Sequence, residues 1–401
     1  MGVQEAEDGA FVLEVGTLAP GAAVGQAYSG VRNFVVRVGR KVEGEWRRDA
    51  VVVNSHLDSA PASYGASDAM SMCAVMLEVF KNILARDPDM KRDVVFLFNG
   101  AEEIILLGSH AFVSQHPWAK HVKVLINLES AGVGHKSVML WCGPHRQLGM
   151  ARIFQRYAPY PHASSAVQDI FENGFVPADT DHRIFRTFAG IPGFDFANYM
   201  NGYRYHTFMD NIEGVGLGFL QQNGENTHAL IEALTGKDSD ENWEALFAPE
   251  NDTPAHIFDV LGLFVVVYSQ KVGFVVHGLV LLLGAVQMLF SMPTLASIIV
   301  YQASCLTAGL LGLVLFLLVS ALTAVVISAG FGLPMLWIGR HWLVIPLYCS
   351  PATAATLFYL FYATRALQRY KAIRCDGARP LEVALDVYAR LAGLLLAATW
   401  H

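Results

Sequence analysis

The sequence predicts an α/β domain, a mostly parallel central sheet flanked by helices, followed by a helical transmembrane region. Three observations carry that expectation. Short apolar runs rich in Val, Ile and Phe alternate with helix-periodic segments through the first 236 residues. Charge then all but disappears, with residues 272–339 forming 68 consecutive positions without Asp, Glu, Lys or Arg. Finally, histidines and carboxylates in the front part stand directly behind the apolar runs, where sites form in open parallel sheets.

Taken in order, Asp49–Asn54 reads as a buried strand, and Ala69–Arg86 as a helix with Met72, Val75, Met76, Val79, Phe80 and Ile83 on one face. Asp93–Phe98 is a second strand, Gly108–Gln115 a short helix, and Val122–Asn127 and Ser137–Trp141 further strands. Gln147–Tyr157 is helical, Ile191–Phe196 ends another strand, and Leu217–Leu234 closes the domain as a helix. Such alternation implies a largely parallel sheet with both faces covered. The domain limits follow: 1–48 leads in, 49–236 is the catalytic-type domain, 237–271 connects, 272–364 holds about three membrane helices, and 365–401 is a basic segment and tail.

A membrane-crossing helix needs about 20 apolar residues. Spans are expected at Val272–Leu289, within Ile298–Phe331 and at Leu343–Tyr362, the first two separated by a turn at Ser291–Thr294 and the third kinked by Pro346 and Pro351. Arg365, Arg369, Lys371 and Arg374 follow the third span, and short basic segments favour the cytoplasm. Three crossings then place the front half on the lumenal side. The tail Leu381–Trp400 is apolar but interrupted by charge, and reads either as an interfacial helix or as the start of a truncated segment. Residues 1–30 lack a signal-peptide pattern, so a lumenal front half implies an upstream translocation signal and an N-terminally shortened chain.

Composition narrows the function. With 53% hydrophobic and 16% charged residues the chain is neither disordered nor fibrous. Residues 1–270 hold 32 acidic against 20 basic side chains, and the net charge of −7 argues against a nucleic-acid partner. Five cysteines (Cys73, Cys142, Cys305, Cys349, Cys375) show neither disulfide-framework nor zinc-site spacing.

His56-Leu57-Asp58 follows the first strand, and Gly65-Ala66-Ser67-Asp68 lies twelve residues past the histidine. Glu102-Glu103 follows the second strand, Glu129 the third, and Tyr205-His206-Thr207 sits in a loop rich in Gly, Asn and Tyr. Singly, each has a bland reading as surface charge or a hydrogen-bonded loop residue. Gathered at one rim, the carboxylates repel, and cations resolve that repulsion. Mixed His/Asp/Glu ligation without thiolate fits zinc, and one carboxylate can bridge two ions about 3.5–4 Å apart.

The order His-x-Asp, Gly-x-x-Asp, Glu-Glu, Glu, Tyr-His resembles the dizinc exopeptidases related to bacterial and vacuolar aminopeptidases, over roughly Asp49–Leu234. Asn-Gly-Ala-Glu-Glu at 99–103, Asn-Leu-Glu-Ser-Ala-Gly-Val-Gly at 127–134 and Asn-Gly-Tyr-Arg-Tyr-His-Thr at 201–207 are similar to the endoplasmic reticulum metallopeptidases, multi-pass membrane enzymes with a lumenal peptidase domain. The resemblance implies a dizinc exopeptidase-like fold and two Zn2+ per chain. By position, His56 and Glu129 would hold one ion, Glu103 and His206 the other, and Asp68 would bridge them. Glu102 would be the general base, Asp58 would hold the His56 imidazole, and Tyr205 would donate to the oxyanion. Asp210 either braces the loop of His206 or caps the following helix.

The implied function is a zinc-dependent exopeptidase, an aminopeptidase, anchored in the endoplasmic reticulum membrane, with a peptide substrate and the bilayer as partners. Two other readings stand beside it: a non-catalytic lumenal module on a membrane scaffold, and a single-zinc acyltransferase of the glutaminyl cyclase kind. The sequence departs from its relatives in Glu129, where aminopeptidases carry Asp, in Ala69, where a polar residue is usual, and in a shorter membrane region.

Overall fold

Apolar strand residues that face alternately up and down organise residues 1–273, the first of two units into which the chain divides; residues 274–401 form the second. The computed structural model describes residues 2–5, 7–14, 23–86, 89–176, 178–291, 295–333, 336 and 340–369. In the first unit the strands are β1 (Gly2–Glu5), β2 (Gly9–Glu14), β3 (Ala23–Tyr28), β4 (Arg32–Val38), β5 (Ala50–His56), β6 (Asp93–Asn99), β7 (Val122–Ser130), β8 (Val138–Cys142) and β9 (Gly193–Asn198), with a hairpin β10 (Ala255–Val260) and β11 (Phe264–Ser269). The helices are α1 (Ser71–Arg86), α2 (Leu107–Gln115), α3 (Leu148–Tyr157), α4 (Ser165–Glu172), α5 (Asp181–Ala189), α6 (Leu217–Thr235) and α7 (Asp240–Phe247).

Seven strands make one sheet in the order β1-β4-β6-β5-β7-β9-β8. The four central strands β6, β5, β7 and β9 run parallel. Beyond them β4, β1 and β8 pair antiparallel, so the expected parallel sheet has antiparallel edges. Periodicity reports which face a residue occupies, not the direction of its strand, which is why the edges were not foreseen. Strand β5 is buried throughout. Its Val51 and Val53 point into a core with Met72, Met76 and Val79 of α1, Phe154 of α3 and Leu234 of α6. Its Ala50 and Val52 point the other way, against Phe112 of α2 and Phe185 of α5. Both faces of the sheet are therefore covered.

The flanking segments are structural. Residues 1–48 supply β1 and β4 to the main sheet, and β4 alternates exposed and buried positions as an outer strand does. Residues 237–271, expected as a connector, carry α7 and the β10–β11 hairpin, whose Leu246, Ala255, Ile257 and Val265 lie in the larger core.

The described residues of the second unit are mostly helical. Helix α8 (Gln270–Ser291) leads into it from the hairpin, and α9 (Leu295–Val325) and a last helix, Ser350–Arg369, follow. Among the described residues, two stretches are long and apolar enough to cross a membrane, Ala303–Gly330 and Val344–Ala363; Gln270–Val286 is apolar but shorter. Pro346 lies in a π-helical stretch, Val344–Cys349, where the missing N–H interrupts regular α bonding, and Pro351 stands in the first turn of the last helix, where that N–H has no role. Ala308 and Gly312 of α9 meet Leu360 and Thr356 of that helix, and a Cβ on Gly312 would stand 3.2 Å from Thr356 Cγ2. Small residues at the seam permit such close approach between apolar helices. Leu306, Leu310, Leu317 and Leu318 meanwhile stay at least half exposed, an outer surface suited to lipid. Residues 292–294 of the expected turn, Lys371, Arg374 and the tail Leu381–Trp400 lie outside the described residues.

Candidate metal centre

The apolar runs of β5, β6 and β7 give way to polar residues at the carboxyl ends of the strands. His56 ends β5, Glu129 is the penultimate residue of β7, and Glu102 and Glu103 follow β6 after a tight Gly-Ala turn with Ala101 at φ 62. Asp68 sits in a kinked turn between β5 and α1, where its peptide bond to Ala69 is cis. Gly65 opens that turn at φ 63, and a Cβ there would lie 2.5 Å from Ser59 Cβ, so no larger residue fits.

The five expected ligating side chains converge. Asp68 divides its carboxylate between two imidazoles: Oδ1 lies 3.1 Å from His56 Nε2 and Oδ2 lies 3.1 Å from His206 Nε2. Glu129 Oε2 is 3.3 Å from His56 Nε2, and Glu103 Oε2 is 3.0 Å from His206 Nε2. The cluster thus has two halves, His56 with Glu129 and His206 with Glu103, joined through Asp68. One atom each of His56, Asp68 and Glu103 also lie within 4.8 Å of one another, close enough to share an ion. Glu103 Oε1 and Glu129 Oε1 are buried without a hydrogen-bond partner. Carboxylates that face imidazole nitrogens with one oxygen and keep a second, orphaned oxygen form a donor set that fits zinc, while the nearby Cys73 thiol is kept protonated by burial, its pKa pushed up to about 11.

Charge in the cluster is poorly balanced. Burial, joined by Asp68, pushes Glu103 up to about 7. Glu129 rises to about 6 through burial, against the pull of His56. Burial and the nearby Glu129 carry Glu102 well above the ordinary carboxylate range. Burial works against the charge on His56, but Glu129, Asp58 and Asp68 outweigh it and raise its pKa well above normal. The hydrogen bond with Asp68 raises His206 as well. Protons thus stand in for cations among these carboxylates.

Around the cluster, backbone and side-chain bonds fix the geometry. His56 Nδ1 lies 3.0 Å from the Asp58 backbone carbonyl; donating there leaves Nε2 free to ligate. Asp58 therefore meets His56 through its main chain, its carboxylate being 3.7 Å away. That carboxylate instead accepts the backbone N–H groups of Glu102 and Glu103, each at 3.1 Å, and so fastens the Glu-Glu turn to the end of β5. Glu102 is half-buried, and among the described residues its carboxylate receives no hydrogen bond. Tyr205 stacks on His206 with ring centroids 3.6 Å apart. Burial and the surrounding Asp68, Glu103, Glu102 and Glu129 raise its pKa, so it keeps its proton as a donor.

Asp210 braces the turn of Asp68. Fully buried, it accepts the backbone N–H and the hydroxyl of Ser67 at 2.8 and 2.6 Å and the Asp68 N–H at 3.2 Å. Its own N–H bonds to Thr207 O, next to His206, which itself holds a left-handed φ of 57 that side-chain-bearing residues seldom adopt. One acid thereby ties the loops of two expected ligands together.

Sequence reasoning gave no role to a polar ladder beneath the cluster. Asn99 Nδ2 donates to Asn54 Oδ1 at 3.0 Å, Asn54 Nδ2 to Asn127 Oδ1 at 2.7 Å, and Asn127 Nδ2 to Asp195 Oδ1 at 2.8 Å, so the side chains cross all four parallel strands. Asp181, at the start of α5, accepts from Asn54 at 2.9 Å and Asn99 at 2.5 Å, and Thr180 donates to Asp195 at 2.7 Å. The available signal was parity: Asn54, Asn99 and Asn127 occupy the faces that carried Ala50, Leu97 and Leu125 earlier in their strands.

The sequence profile of peptidase family M28 matches residues 33–231, the stretch that supplies all five converging ligands and Glu102. The chain carries an M28 peptidase domain. It is 39% identical over 255 residues to endoplasmic reticulum metallopeptidase 1 of Mus musculus, covering 64% of this chain and 28% of that protein. It is 30% identical over 371 residues to a vacuolar membrane protease of Yarrowia lipolytica, covering 92% of this chain and 36% of that one. The chain therefore spans about a third of the length of these curated relatives. Among solved structures, a zinc aminopeptidase from Bacillus subtilis is similar at a TM-score of 0.40 and 24% identity, over 57% of this chain and 55% of that one.

Two outcomes follow from the M28 site. With metal stripped by a chelator, Glu103 and Glu129, whose folded-state pKa values are raised to about 7 and about 6, contribute stability that is complete below the ordinary carboxylate range and is lost as pH rises through 6 to 7. Thermal denaturation of the stripped full chain should show the midpoint dropping over that window and added zinc restoring it; a midpoint that is flat with pH and indifferent to zinc contradicts the reading. Separately, Asp210→Asn should weaken zinc affinity by about 10–100-fold. Competitive zinc titration checks this, and unchanged affinity would show that the brace is irrelevant to the cluster.

Proposed function

We propose that this chain is a zinc-dependent exopeptidase, an aminopeptidase, anchored by its apolar helices in the endoplasmic reticulum membrane with the M28 domain on the lumenal side. The observation that carries the reading is the division of the Asp68 carboxylate between His56 and His206, each already facing a glutamate. That arrangement suits two ions, one held by His56 and Glu129, the other by His206 and Glu103, with Asp68 shared. When bound, such ions supply Lewis acidity for the scissile carbonyl and lower the pKa of the attacking water.

The remaining steps belong to side chains of this protein. Glu102, adjacent to a ligand and with a carboxylate that receives no hydrogen bond among the described residues, takes a proton from the attacking water at that carboxylate and delivers it to the leaving amine. Its proton affinity, raised by burial and by Glu129, suits a group that must take a proton from water and later give it up. Tyr205 donates its O–H to the developing oxyanion. The order of the ligating residues, which resembles that of the aminopeptidases, supports amino- over carboxypeptidase action. Residues 272–364 serve as the membrane region, and the basic cluster beginning at Arg365 supports its cytoplasmic exit.

Glu102→Gln should retain about two zinc per chain and the native fold while lowering kcat on unblocked peptides by about 100-fold or more. Metal analysis beside turnover of free and N-acetylated peptides provides the test. Undiminished turnover ends the proposed role of Glu102. One zinc per chain without hydrolysis points to acyl transfer of the cyclase kind, and two zinc with a wholly inert wild-type chain points to a non-catalytic module.

A further inference from the structure

The β10–β11 hairpin ends in four residues that folding alone does not explain. Leu261 is 89% exposed, Leu263 73% and Phe264 53%, while Ala255, Ile257 and Val265 of the same hairpin are buried in the main core. Leu261 also holds φ 52, a left-handed conformation that Asn or Gly would take readily and leucine resists. Both its exposure and its backbone count against leucine at this position, so stability does not account for it. Nor is the tip loose. Gly262 N donates to Asp259 Oδ2 at 2.6 Å, Lys136 Nζ donates to Gly262 O at 2.5 Å, and Gln155 Nε2 donates to Val265 O at 2.8 Å. A rigid, apolar projection is being held out to solvent.

What covers it is indicated by the chain that follows. Strand β11 runs directly into α8 at Gln270, six residues after Phe264. At about 3.4 Å per strand residue, the tip can lie no farther than about 20 Å from the start of that apolar helix. Tyr268 on the hairpin and the Lys136 ammonium beside its tip are side-chain types that settle at lipid headgroups. We propose that Leu261, Leu263 and Phe264 insert into the bilayer surface and hold the M28 domain against the membrane. The inference rests on the reading of the apolar helices as membrane spans. Lys136 stands in the loop that leaves β7 past Glu129, so the hairpin tip lies at the same carboxyl edge of the sheet as the metal cluster. Seated this way, the domain takes peptide ends presented close to the lipid surface.

The full chain bearing Leu263→Trp, reconstituted into phosphatidylcholine vesicles, tests this by difference from the wild-type chain. The added tryptophan is expected to lose at least half its emission when the lipids are brominated near the headgroup end of their acyl chains, and to be protected from aqueous acrylamide; Leu261→Trp should behave alike. Acrylamide quenching without bromolipid quenching, in chains that float with the vesicles, overturns the inference and leaves the membrane spans standing. Protection from both quenchers overturns it in favour of a protein cover, such as a second copy. Chains that fail to float with vesicles overturn the membrane reading and this inference together.

Discussion

The shared carboxylate of Asp68 is the constraint on which the rest of the site depends. It must present one oxygen to His56 and the other to His206, although the two imidazoles come from segments 150 residues apart. Burial opposes its ionisation, yet hydrogen bonds from both histidines hold it in the charged form, with its pKa below normal. Glu103 and Glu129 face the same two histidines and are pushed the opposite way, towards protonation. A protein gains nothing in stability from collecting like charges at the end of a sheet. Such a collection is understandable as a binding site for cations, whose charge the fold leaves room for in the orphaned oxygens of Glu103 and Glu129.

Rigidity for this arrangement comes from below and from the side. Beneath, amide and carboxyl groups of Asn99, Asn54, Asn127 and Asp195 replace apolar contacts in the last layer of the sheet and lock the ends of the four parallel strands together. Hydrogen bonds are directional where hydrophobic contact is not, so this layer fixes strand ends to fractions of an ångström, as ligand placement demands. From the side, Asp58 secures the Glu-Glu turn and Asp210 secures the turn of Asp68. Neither acid need touch a metal to decide where the ligands stand.

How much of this could be read in the sequence depended on range. Strands β5, β6 and β7 were legible because burial on both faces writes a continuous apolar run, and the residues just beyond them were legible as a site because polar groups there break the run. Strand β4 was not, since its alternation also fits a polar loop, and helices α4 and α5 are too short and too polar to announce themselves. Asp181 was invisible for a different reason. As an acid at the start of a helix it has an ordinary local explanation, and only the fold brings it under Asn54 and Asn99. The main-chain contact of Asp58 with His56 was likewise beyond sequence, because side-chain identity says nothing of a backbone carbonyl.

Glu129 shows how a departure from the family pattern can be absorbed. Its arm is one methylene longer than that of the aspartate usual in the aminopeptidase relatives, and at the end of a rigid strand a longer arm must either displace the ion or fold back. Here it reaches His56 with Oε2 and leaves Oε1 buried and unpaired, so the second oxygen stays available within the pocket. Asn127, two residues earlier on the same face of β7, is pinned on both sides by Asn54 and Asp195, which prevents the strand from shifting to accommodate the extra length. The adjustment therefore falls on the side chain and on the position of the ion it would hold, not on the sheet. Ala69 is a simpler case: it is fully buried in the larger core, and the turn of Asp68 draws its support from Asp210 and Ser67 rather than from a polar group at the following residue.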